Sequence, residues 1–127
     1  MLRHETQAKP RPSEAAVVTK AVLRAAQALD VPARTLAGII GVSEATASRM
    51  KSGGFALERA SKPFELAVLF IRLFRSLDAI AGGDEAVARA WLRNPNTALG
   101  AVPLDHIRTV SGLVDVIAYL DARRALV

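Results

Sequence analysis

The sequence contains no cysteine. A disulfide framework and thiolate zinc sites are therefore excluded, and the chain suits a reducing compartment. Aromatic residues are scarce, with one Trp, one Tyr and four Phe in 127 residues. The chain is nonetheless 51% apolar, so its core must be built mainly from Ala, Leu, Val and Ile. Ala and Leu are strong helix formers, and the expected fold class is all-α. Long hydrophobic runs are missing as well. The longest, Leu66–Leu77, is broken by Arg72 and Arg75, whereas a membrane span needs about 20 apolar residues. That stretch is expected to be a buried core or interface helix. Residues 1–16 hold no apolar secretory region, so a cytoplasmic protein is expected.

Groupings that carry chemistry are absent too. His4 and His106 have no companion at ligand spacing, and neither a metal motif nor a Gly-rich phosphate loop is present. Asp84-Glu85 stands at an expected helix start, where the dipole favours acids. Neither an enzyme, a cofactor nor a metal site is expected.

What the sequence does have is a lopsided charge. Residues 1–62 carry ten Lys and Arg against five Asp and Glu, and residues 63–127 seven against seven. The whole net charge of +5 therefore lies in the first half. A basic half is the footprint of a nucleic-acid binder, although a solvated basic surface has the same composition.

Apolar spacing and capping residues divide the chain into helices. Residues 1–12, with Pro10 and Pro12, read as a flexible arm. Ser13 caps a helix to about Leu29, and Pro32 precedes a second from Ala33 to Ile40. Ser43 caps a third reaching Lys51, stopped by Gly53-Gly54. A long helix over Lys62–Ala81 is apolar nearly all round, which predicts cover on most sides and a homodimer through it. A helix over Asp84–Arg93 stops at Asn94-Pro95-Asn96, Pro103 opens a short one to about Arg108, and Ser111 caps the last. No strand pattern is visible. The expected units are 13–62, a central helix at 63–82, and 83–127.

Residues Thr35–Met50 have the plan of a helix-turn-helix. Ala37 is small enough for two helices to cross, and Gly41 tolerates a left-handed turn. Val42 and Ala47 should point inward. Glu44, Ala45, Thr46, Ser48 and Arg49 should then face outward, a short polar set plus one Arg suited to a major groove. Lys51 and Lys20 are candidates for phosphates. A plain helical hairpin with a Gly turn is the structural alternative.

The second half carries a separate order of residues: Ala90-Trp91-Leu92, Asn94-Pro95-Asn96, Leu99-Gly100, Pro103-Leu104 and Ser111-Gly112-Leu113. Taken alone, these residues read as a core Trp, a helix stop, a tight bend and a helix start. Together with the helix-turn-helix, their order resembles the Xre/MbcA/ParS antitoxin family over roughly residues 15–122. The resemblance implies an Xre-like helix-turn-helix followed by a toxin-binding domain. It also implies repression of the chain's own operon through operator DNA, and a RES-domain, NAD-degrading toxin as partner. The toxin-binding candidates are then Trp91, Asn94, Pro95, Asn96, Leu99 and Gly100, with Asp121, Arg123, Arg124, Leu126 and Val127 in the tail. Many relatives end in a Gly-containing apolar tail, whereas this chain ends Ala122-Arg123-Arg124-Ala125-Leu126-Val127. A stand-alone regulator whose second half dimerises or senses a small molecule is the other reading.

Overall fold

Ser13 opens the fold as an N-cap, its hydroxyl accepting from the backbone N–H of Ala16 at 3.0 Å. The computed structural model describes residues 13–126; the expected arm at 1–12 and the tail candidate Val127 lie outside the described residues. Seven helices follow within them: α1 Glu14–Ala28, α2 Ala33–Ile40, α3 Glu44–Ser52, α4 Lys62–Ile80, α5 Glu85–Arg93, α6 Pro103–His106 and α7 Val110–Ala125. The architecture is all-α. An isolated antiparallel bridge joins Asn96 and Ala101. No helix among the described residues is long and apolar enough to cross a membrane.

Capping explains most of the boundaries. Ser43, Ser61 and Asp84 accept from the first-turn N–H groups of α3, α4 and α5, satisfying donors that a helix leaves unpaired. The start of α7 differs from the expectation. Thr109, not Ser111, is the cap, and its hydroxyl accepts from the N–H of Gly112 at 3.0 Å. The helix therefore begins at Val110. The short α6 ends at His106 rather than near Arg108.

Helix α4 is the axis of the molecule. It packs against α1, α2, α5 and α7 and buries Phe64, Ala67, Phe70, Leu73 and Leu77. Its nearly all-round apolar surface is thus mostly covered by the chain itself, leaving Val68 as its exposed large apolar residue. On α7 the inward set is Leu113, Val116, Ile117 and Leu120, the face expected from the spacing. Two polar ties complete this packing. The buried hydroxyl of Thr19 donates to the carbonyl of Ala15 and accepts from the N–H of Leu57 at 2.8 Å. It thereby fixes the loop that leaves α3. Asp121 on α7 accepts from Ser76 at 2.7 Å and Arg72 at 2.6 Å on α4.

Candidate functional site

Two surfaces stand at opposite ends of the sequence. The first is α3. Gly41 takes the left-handed conformation, φ 79°, with its N–H and that of Val42 both donating to the carbonyl of Ala37. This sharp turn sets α3 across α2, and Ala37 and Ala47 are buried. Ala45, Ser48 and Lys51 are exposed. Glu44 is exposed too, paired with Arg34 at 3.5 Å.

The Arg49 side chain is exposed but not loose. Its guanidinium sits 5.3 Å from the centre of the Phe55 ring, and its Nη2 donates to Thr46 Oγ1 at 3.5 Å. Thr46 in turn accepts from the Ser43 hydroxyl at 2.9 Å. Thr46 was expected outward, yet it is half-buried with its hydroxyl committed between Ser43 and Arg49. Beside α3 runs a groove of about 800 Å³ whose lining includes Lys20, Arg24 and Lys51. Among the described residues, none of these three cations, nor Arg49, forms a salt bridge. Arg34, Arg59 and Lys62 pair instead with Glu44, Glu14 and Glu65. The groove lining thus carries Lys20, Arg24 and Lys51 against one anion, Asp30, a balance that favours an anionic partner.

The second surface is built by α5, the loop after it, and α7. Asn94 leaves α5 in an extended conformation. Asn96 closes the loop by accepting through its side chain from the N–H of Leu99 at 3.1 Å, and by exchanging backbone hydrogen bonds with Ala101. Gly100 completes the bend at φ 68°. Asn94, Pro95 and Gly100 are exposed; Asn96 and Leu99 are half-buried. Trp91 is also half-buried, its ring stacked with that of Tyr119 at a centroid distance of 6.2 Å and an interplanar angle of 20°. Arg123 extends the stack, donating to the Tyr119 hydroxyl at 2.9 Å.

The outward row of α7 is unusually apolar. Val110, Val114, Ala118, Ala122 and Leu126 follow one another at intervals of four, and all are exposed. Val110 is 57% exposed, Val114 50% and Leu126 86%. Side chains four apart are neighbours on a helix surface, and at 3.6 residues per turn each step of four rotates the row by about 40°, so these uncovered residues form a strip that winds around the outside of α7 and ends on its C-cap, Leu126.

Residues 10–72 match the family model of the antitoxin Xre-like helix-turn-helix domain. Residues 76–125 match that of the antitoxin Xre/MbcA/ParS C-terminal toxin-binding domain. The chain belongs to the Xre/MbcA/ParS antitoxin family. No curated protein matches it. The two matched segments meet within α4, so one continuous helix serves both halves of this antitoxin.

The sequence candidates of the second half divide by position. Asn94, Pro95, Asn96, Leu99 and Gly100 lie together on the turn that follows α5, and Trp91 stands on α5 itself, in its last turn. Asp121 stands apart, engaged with Arg72 and Ser76 on α4. The Ser76 hydrogen bond, opposed by desolvation and aided by Arg72 and Arg124, holds its carboxyl below the ordinary carboxylate value. Arg124 Nη1 also reaches Ser76 Oγ at 3.5 Å. The tail is helical through Ala125. Sequence reasoning missed Tyr119, which only the packing of α7 brings to Trp91. It also missed Arg89 and Arg93, whose spacing of four on α5 was the available signal.

Proposed function

We propose that this antitoxin-family chain neutralises a RES-domain, NAD-degrading toxin by covering its active site, and represses its own operon through α3. The uncovered apolar strip of α7 is the observation that carries the first part. From Val110 to Ala122 it lies within the segment matched by the toxin-binding family model, and exposed apolar strips of this kind suit a protein partner. Trp91 and Tyr119 flank it with the aromatic anchors that dominate many interfaces. The turn from Trp91 to Gly100 supplies a platform, while Arg123, Arg124 and Leu126 reach the toxin's rim and pocket. Asp121 serves the scaffold, because its oxygens are already engaged on α4. The partner carries the chemistry, and this chain contributes binding alone.

For the second part, Arg49 contacts a base or a phosphate. Ala45 and Ser48 face the groove edge, and Lys51 and Lys20 meet phosphates. Thr46 orients Arg49 rather than reading a base. A homodimer would place two copies of α3 on half-sites about 34–36 Å apart. The test is co-expression with the product of the neighbouring gene, which on this reading is a RES-domain protein. Co-purification of the two and rescue of growth are expected. Growth arrest despite full expression of this chain would refute the reading.

A further inference from the structure

The groove beside α3 is used neither by the strip on α7 nor by the base-reading row of α3. Its walls are α1 on one side and α3 with the loop after it on the other, and the α1–α2 corner borders it. At about 800 Å³ it falls in the usual size range of small-molecule sites. The space stays open because Ala16, Ala47, Gly53 and Ala56 face it with little bulk. Its floor is apolar. Leu36, Ala47 and Met50 are buried there, and Leu23 and Phe55 are half-buried. A thioether and an aromatic ring together make a surface that adapts to an apolar guest.

The rim is cationic. Lys20 and Arg24 stand one turn apart on α1, Lys51 stands on α3, and all three are exposed. Among the described residues, Asp30 is the one carboxylate of the lining. Nucleic-acid phosphates would match the cations but make no use of the apolar floor. A guest that satisfies both must carry an apolar body and an acidic end. Charge also narrows the choice of occupant. Residues 1–12 hold Arg3, Lys9 and Arg11 against Glu5, and a second copy seated groove to groove would bring the same cations together. Like-charge repulsion disfavours both.

We propose that this groove binds a small amphipathic organic anion. Its apolar body lies on Leu23, Met50 and Phe55, and its carboxylate or similar acidic group sits among Lys20, Arg24 and Lys51. Lys20 and Lys51 are also the proposed phosphate contacts, so the bound anion competes with operator DNA. That competition rests on the operator reading above, whereas the site itself does not.

The experiment is an amide-resolved NMR titration of the full chain with decanoate, repeated with its uncharged counterpart decan-1-ol. Decanoate should saturate, with shift changes concentrated on the groove segments 16–36 and 47–56. Its affinity should exceed that of decanol by about tenfold or more, as expected where a charged group gains charge-assisted contacts. In the double variant Lys20→Glu/Lys51→Glu the advantage of decanoate should vanish while decanol still binds. The absence of saturable binding overturns the proposal. Shifts concentrated on residues 71–75 of α4, which border a smaller groove, or along α7 overturn it too, because another apolar surface would then be the host. So does equal affinity for the two probes in the wild type, or a decanoate advantage that survives the charge reversal. Decanoate should also raise the concentration of chain needed for half-maximal operator binding. Operator binding untouched by saturating decanoate overturns the competition. A chain that binds no operator refutes the operator reading, and the NMR titration still decides the site.

Discussion

A Cβ on Gly112 would fall inside the van der Waals envelope of the His106 carbonyl oxygen, so α6 and the first turn of α7 meet backbone to backbone. Gly112 is buried, and no flexible side-chain end can yield to the added atom. Gly112→Ala should force α6 away from α7 and destabilise the chain by about 1–3 kcal/mol or more, the range for overpacking. Urea denaturation checks this. An unchanged midpoint would show that the two backbones separate without cost.

The Asp121 clasp gives a pH signature. Its carboxyl is held below the ordinary value, first by Ser76 and then by Arg72 and Arg124. A depressed folded-state value means that the ionised form favours folding. The contribution is complete above the unfolded value of about 3.9 and is lost as pH falls through the folded value. Thermal melts of wild type and Asp121→Asn should therefore differ by a constant amount from pH 5 to pH 8. The gap should close as the pH drops below about 4. A gap that widens in acid would contradict the assignment.

Arg49 is already oriented by Phe55 and Thr46, so little side-chain freedom remains to be lost on binding. Arg49→Ala should cost about 1–3 kcal/mol in operator affinity if the contact is bidentate to guanine. Binding should also weaken steeply with salt through counterion release. A mobility-shift titration unchanged by the substitution would remove Arg49 from the interface.

Deleting residues 122–127 removes Ala122 and Leu126 from the α7 strip, together with Arg123 and Arg124, but keeps the Asp121 contacts with α4. Toxin inhibition should fall while operator binding persists. Full neutralisation by the shortened chain would assign the whole block to the platform around Trp91.

Much of this fold is legible because it rests on local chemistry. Ser13, Ser43 and Gly41 announce their caps and turn through residue type alone. The long apolar helix is equally visible, but its partners are not. The sequence pattern shows that Lys62–Ile80 needs cover, without showing that α1 and α7 of the same chain provide it. Arg89 and Arg93 look like solvated charges until α5 is laid against the end of α1. Asp121 looks like a free anion near the tail until α7 is laid on α4. In each case a long-range packing choice, with no local signature, decides the role.

The most direct measurement is NAD consumption by the purified protein proposed as the RES-domain partner, titrated with this chain. Consumption should fall to background as the chain reaches saturating ratio, with Trp91→Ala shifting the titration to higher concentration. Undiminished NAD consumption at every ratio would contradict the claim that this chain covers the toxin's active site.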